Sequence, residues 1–79
     1  MYYVYILKSD KDNKLYIGSS ADLKQRLKDH SDGKVESTKH RLPLELICYE
    51  CYKKKSTAQK REKYLKSSDG HKDIKKRGI

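Results

Sequence analysis

Two apolar runs split by one polar cluster do most to limit what this chain can become. Tyr2 to Leu7 is an unbroken run of aromatic, β-branched and aliphatic residues, as in a strand covered on both faces. Asp10-Lys11-Asp12-Asn13 follows as a turn cluster, and Leu15 to Ser19 resumes a strand pattern. Strands this close in sequence pair as an antiparallel hairpin. A loop over residues 10–13 opposes Ser9 to Lys14, Leu7 to Tyr16 and Tyr5 to Gly18. Opposed residues share a face, as do residues two apart. Tyr5, Leu7, Tyr16 and Gly18 therefore line one face. A loop one residue longer or shorter would put the two tyrosines on opposite faces. Gly18 leaves space beside Tyr5, and a glycine within a strand marks a bulge or a close approach.

The remaining elements follow from spacing. Ser19-Ser20-Ala21-Asp22 reads as a helix start, with capping-box spacing from Ser19 to Asp22. Leu23 and Leu27 supply its stripe, and Asp32-Gly33 stops it. With Leu23 at zero, Leu27 falls at about 40°, His30 at about −20° and Arg26 at about −60°. His30 and Arg26 thus ride on or beside the inward face. Lys34 to Arg41 is a polar connection. Pro43 to Tyr52 reads as a third strand, with Leu44, Leu46 and Cys48 on one side and Glu45, Ile47 and Tyr49 on the other. Ser56-Thr57-Ala58-Gln59 starts a second helix with S-x-x-Q spacing. It should run to about Ser67 and end at Gly70, and a short basic helix or turn closes the chain. Ala58, Glu62 and Leu65 share its inward stripe, within about 40° of one another's centre. Glutamate is almost never fully buried unless paired. Glu62 is therefore either tied to a lysine or kept for chemistry.

These elements make an α+β fold: a three-stranded antiparallel sheet flanked by two or three helices, in a single domain over residues 1–79. Periodicity leaves open whether the third strand is central or at an edge. Composition enters because the chain is only 34% hydrophobic, against roughly 45–50% for globular domains. Seven tyrosines set it apart from disordered chains, which are poor in aromatics.

Charge is unevenly placed within the formal total of +9. Residues 1–52 hold nine Lys/Arg and eight Asp/Glu, a net of +1. Residues 53–79 hold eleven and three, a net of +8. A local basic excess favours a polyanion, nucleic acid first among them; the plainer alternative is a lysine-rich solvated helix. No apolar run approaches the roughly 18 residues of a membrane span. The N-terminal MYYVYILKS lacks the basic lead and cleavage site of a signal peptide. Two cysteines make no disulfide framework, so a cytoplasmic protein without a membrane partner is expected. Cys48 and Cys51, three apart in one strand, point to opposite faces and cannot close on one zinc ion.

Tyr5, then Tyr16-Ile17-Gly18, Arg26, His30 and Glu62 resemble, in order, the GIY-YIG nuclease domain. The first motif reads Tyr3-Val4-Tyr5, with the family's Gly-Ile replaced and its Tyr kept; the second motif is intact. The resemblance continues through Ser37-Thr38-Lys39-His40-Arg41-Leu42-Pro43-Leu44-Glu45-Leu46 and Arg61-Glu62-Lys63-Tyr64-Leu65-Lys66 to Gly70. It spans about residues 1–76 and is closest to the family's small stand-alone bacterial branch.

The resemblance implies a metal-dependent endonuclease that hydrolyses DNA phosphodiester bonds with one Mg²⁺ or Mn²⁺. It implies selection of structure rather than sequence, on branched, damaged or single-stranded DNA such as repair enzymes meet. A protein partner supplying specificity fits the lack of a separate recognition domain. By position, Tyr5 corresponds to the residue that acts as or assists the general base. Tyr16 helps to place the nucleophile, Arg26 stabilises the phosphate, His30 lies one turn later, and Glu62 is the metal ligand. Gly18, Lys39, Lys60, Lys63, Lys66 and Lys72 are the expected substrate contacts. Many members carry an Asn after the glutamate helix; the only Asn here is Asn13, and Lys72 is the candidate in its stead. The alternative is a non-catalytic nucleic-acid-binding module that retains the fold.

The residue types suit that chemistry. Phosphodiester hydrolysis needs an activated water and neutralised charge on the phosphate. Glutamate holds Mg²⁺, which takes one carboxylate, waters and substrate oxygens. Arginine offers a fork to two phosphate oxygens. Tyrosine, with a reference pKa near 10, needs a nearby cation to serve as a base, and Arg26 or the metal would supply it. Plainer roles stand beside these: packing for the tyrosines, an Asp22 pair for Arg26, and a helix C-terminal place for His30. All five residues are expected to point at one sheet face.

Overall fold

The computed structural model describes residues 1–78. Ile79, the end of the expected domain, lies outside the described residues.

Strands β1 (Tyr2–Ser9) and β2 (Leu15–Ser20) form the hairpin in the expected register, with Tyr5 opposite Gly18 and Leu7 opposite Tyr16. The Ser9 N–H donates to the Lys14 carbonyl at 3.0 Å, and the Asn13 N–H to the Ser9 carbonyl at 2.8 Å. Asn13 takes a left-handed φ of 59°, a conformation asparagine tolerates better than most residues.

Strand β3 (Leu44–Tyr52) pairs antiparallel with β1, giving the order β2-β1-β3 and making β3 an edge strand. The central place of β1 explains its unbroken apolar run, because Val4 to Leu7 are buried on both faces. A bulge interrupts the pairing: Ile6 opposes Cys48 while Leu7 opposes Leu46, so Ile47 is an extra residue. Leu44 and Leu46 consequently line a hollow with Leu7 and Leu27, whereas Cys48 packs against the opposite core. The expected sharing of one side by Leu44, Leu46 and Cys48 is thus incorrect. Counting by twos is blind to an inserted residue.

The two sheet faces have different covers. Val4, Ile6 and Ile17 pack with Ala58 and Leu65 of α2 (Lys55–Lys66) and Ile74 of α3 (Ser68–Lys76). On the face of Tyr5 and Leu7 lies α1 (Leu23–Ser31), which brings Leu27 and His30 beside Leu7. Glu50 on β3 ties the first layer together. Its carboxylate accepts from Arg61 at 2.8 and 3.1 Å, Arg77 at 3.2 Å and the Tyr52 hydroxyl at 2.6 Å.

Helix boundaries correct three expectations. Asp22, not Ser19, caps α1, its carboxylate accepting the Gln25 N–H at 3.1 Å, while Ser19 and Ser20 stay in β2. Helix α2 opens after Lys54 with no side-chain cap, so the Ser56 spacing is not a capping box. Gly70 stops nothing. It lies inside α3, where a Cβ would overlap the Tyr64 carbonyl oxygen and sit 2.5 Å from Leu65 Cα. Glycine is needed there for missing volume rather than for backbone freedom. Ser67 makes the corner, its Oγ accepting the Gly70 N–H at 3.2 Å as the cap of α3.

Candidate active site

Tyr5 is the centre of the site because β1 is the central strand and Gly18 is opposite. Its ring leans over β2: a Cβ on Gly18 would lie 2.5 Å from Tyr5 Oη and 3.2 Å from Tyr16 Cε1. The close approach expected at Gly18 is therefore made by Tyr5 itself. The space a side chain at Gly18 would take is filled by Tyr5.

Tyr5 is only 1% exposed, and its Oη lies 2.9 Å from His30 Nε2. The other imidazole nitrogen, Nδ1, lies 2.8 Å from Thr38 Oγ1. His30 is 1% exposed and Thr38 is fully buried. Tyr16 packs its ring edge-on to His30 at 5.2 Å and tilted to Tyr5 at 6.4 Å. The helical spacing of α1 thus carries His30 inward as expected, though against the tyrosines rather than at a solvated helix end.

Arg26, one turn earlier on α1, sets its guanidinium beside the Tyr5 hydroxyl. It makes no ion pair among the described residues, and Asp22 spends its carboxylate on the helix cap instead. Burial pushes the Tyr5 hydroxyl up from its ordinary pKa, Arg26 pulls it down, and burial wins. Tyr5 at rest is therefore a phenol at neutral pH, and the expected lowering by Arg26 is outweighed. Burial, then the Arg26 charge, pushes His30 down, so its imidazole is neutral near pH 7.

Glu62 approaches from elsewhere. It sits on α2, which packs on the Val4–Ile17 face, and its carboxylate accepts from the Ser19 hydroxyl. Ser19 opposes Val4 and so points away from Tyr5. The expectation that all five residues point at one sheet face is incorrect for Glu62. The five meet instead around the β2 edge strand, four on one side and Glu62 on the other, with its charge still felt at Tyr5. Partial burial pushes the Glu62 carboxyl up, but hydrogen bonds from Lys66 and Ser19 prevail and hold it below the ordinary value. It is ionised at neutral pH.

The lysines separate into groups. Lys66 Nζ is 2.7 Å from Glu62 Oε2, with its side chain still half exposed. Lys39 pairs with Glu36 at 2.8 Å. Lys60 and Lys63 are exposed on α2 with no ion pair among the described residues. Lys72 lines a shallow hollow with Tyr64, Asp69, Asp73 and Lys76, and none of the five candidates borders it. Two residues escaped the sequence reading. Ser19 was legible by alternation, since it shares the face of Val4 and Ile17. Thr38 lies in a segment with no periodicity, and only the tertiary fold brings it to His30.

A family model for the GIY-YIG catalytic domain matches residues 1–76. The chain belongs to the GIY-YIG family. Among its relatives, the UPF0213 protein CPE1444 of Clostridium perfringens is 43% identical over 67 residues, 84% of this chain and 71% of that protein. The UPF0213 protein SSP2268 of Staphylococcus saprophyticus is 37% identical over 75 residues, 94% of this chain and 90% of that one. The solution NMR structure of the UPF0213 protein BH0048 from Bacillus halodurans matches with a TM-score of 0.58 at 31% identity. That match covers 94% of this chain and 82% of the other. The GIY-YIG domain is a nuclease domain, and its substrate is nucleic acid. No helix among the described residues is long and apolar enough to cross a membrane.

GIY-YIG nucleases generally use a divalent metal. Among the described residues no three His, Cys, Asp or Glu side chains cluster, so no all-protein cage of the zinc kind is built. A hydrated Mg²⁺ asks less, one or two carboxylates with waters and substrate phosphate completing the shell. The ionised, half-buried Glu62 with the Ser19 hydroxyl beside it fits that donor set.

Proposed function

We propose that the protein is a metal-dependent endonuclease that hydrolyses DNA phosphodiester bonds and selects structure rather than sequence. The observation that carries the reading is the Arg26 guanidinium, without an ion pair among the described residues, set beside Tyr5 at the strand edge that Glu62 borders from the other side. A buried tyrosine, an arginine and an ionised carboxylate around one edge suit a phosphate lying across β2.

Arg26 presents its fork to two non-bridging oxygens and stabilises the charge that builds in the transition state. Tyr5, held by His30 and Arg26, orients the attacking water and takes part in removing its proton. Tyr16 walls the same space and keeps the His30 ring in place. Glu62 would hold the ion, through the carboxylate that Lys66 now caps, and the ion would supply positive charge at the scissile phosphate. Lys60 and Lys63 hold flanking phosphates, a contribution that salt screens. The protein is expected to act in the cytoplasm on branched, damaged or single-stranded DNA, with a partner protein adding specificity.

The test is nicking of plasmid and branched DNA with Mg²⁺ or Mn²⁺, comparing wild type with Glu62→Ala and Arg26→Ala. Cleavage by wild type and a loss of about 10²-fold or more in both variants is expected. Cleavage that survives both substitutions would sink the reading. Binding without cleavage in either metal would leave the nucleic-acid-binding module.

A further inference from the structure

Thr38 has no place in the chemistry described so far, yet it is fully buried and its hydroxyl touches one polar group, His30 Nδ1, at 2.8 Å. Its backbone is otherwise engaged: its N–H donates to the Val35 carbonyl at 3.1 Å, and its carbonyl accepts the Arg41 N–H at 2.9 Å. A hydroxyl carries one hydrogen to give, and a buried one is nearly always given. Among the described residues the acceptor within reach is Nδ1. Two contacts use two of the three hydrogens on Thr38, neutral His30 and Tyr5, so either tautomer leaves one over. With His30 Nδ1–H donating it is left on Thr38, which has no exposure at all; with Thr38 donating it is left on Tyr5, whose oxygen has the part-exposed Arg26 side chain beside it.

We infer that Thr38 is a positioning residue that donates to His30 Nδ1 and thereby holds the imidazole as the Nε2–H tautomer. His30 then donates to Tyr5 Oη across the 2.9 Å contact. The Tyr5 oxygen receives His30 on one side and the Arg26 guanidinium beside it. Its own hydrogen is left as the one not spent inside the protein. Two donors on one oxygen favour the phenolate over the phenol. The chain Thr38, His30, Tyr5 therefore works against the burial that keeps the hydroxyl protonated. A neutral His30 is consistent with this, since an imidazolium would have no lone pair for Thr38. The second ring nitrogen of a histidine is commonly fixed by such a partner. The catalytic meaning of the chain rests on the hydrolytic reading above; the tautomer assignment does not.

Two readouts test it. Long-range ¹H–¹⁵N correlation on the labelled wild-type protein reports the His30 tautomer with no substrate present; His40 and His71 are distinguished by their exposure. The expected result is Nε2–H in wild type, loss of that preference in Thr38→Val and its return in Thr38→Ser. In the nicking assay, Thr38→Val should lower kcat at least about tenfold with KM little changed, and Thr38→Ser should restore it. A wild-type Nδ1–H tautomer overturns the inference, as does Thr38→Val with both tautomer and kcat unchanged. If wild type cleaves no DNA, the functional reading fails while the tautomer spectrum still decides the role of Thr38. The wild-type spectrum also stands if Thr38→Val does not fold.

Discussion

Gly18 lacks a side chain because Tyr5 occupies the place one would fill. An alanine there would put its Cβ 2.5 Å from Tyr5 Oη and 2.7 Å from Cζ. The tyrosine is buried and held at His30, so its ring has little room to give way. Gly18→Ala is expected to cost about 1–3 kcal/mol and to break the Tyr5–His30 contact. Urea unfolding gives the first quantity and the His30 resonances the second. A variant as stable as wild type with His30 unmoved would refute this account of the motif glycine. The residue most informative in the sequence is thus informative for packing, and the chemistry follows from the packing.

At the scale of elements, the corner between α2 and α3 depends on two neighbouring residues with different duties. Ser67 turns the chain and caps α3, while Gly70 lets α3 cross the last turn of α2. Gly70→Ala meets backbone atoms rather than the end of a flexible side chain. It should destabilise by about 3 kcal/mol or more, despite the better helix propensity of alanine. Thermal unfolding measures this, and a rise in Tm would reject the close crossing. The sequence predicts a stop here because glycine most often ends helices by its conformation. Glycine by absence of volume looks the same in sequence, and only the neighbour tells them apart. The bulge at Ile47 is a second such case.

Over the whole molecule, the Glu50 network sets the acid limit. Hydrogen bonding to Arg61, against some burial, lowers the Glu50 carboxyl to about 2. The folded value lies below the ordinary glutamate value of 4.5. Its stabilisation is therefore fully present above about pH 4.5 and lost as pH falls toward 2. The contribution is at most on the order of 3 kcal/mol. Glu50→Gln should lower stability at neutral pH and flatten the pH dependence of urea unfolding across that window. Equal slopes in variant and wild type would show that the arginines are not coupled to folding through Glu50. The same scale governs the charge. The net +8 of residues 53–79 is carried by α2, α3 and their flanks, where Arg61, Lys66 and Arg77 are already paired internally. Part of the basic excess holds the fold, and the other eight cations of the segment, Lys60 and Lys63 among them, make no ion pair among the described residues.

The hairpin register, the three strands, the inward stripes of the helices and the order of the candidate residues were all determined by local sequence. Each depends on alternation, helical period or turn chemistry, which act between residues near in the chain. The sheet order, the bulge, the approach of Glu62 from the far face and the burial of Thr38 against His30 were decided only by the tertiary structure. Those depend on which surfaces meet across long separations, and no periodicity in a single chain encodes the partner. Glu62 makes the point most directly. Its spacing put it on an inward stripe, but which face of the sheet that stripe would meet was settled only when α2 packed on Val4, Ile6 and Ile17.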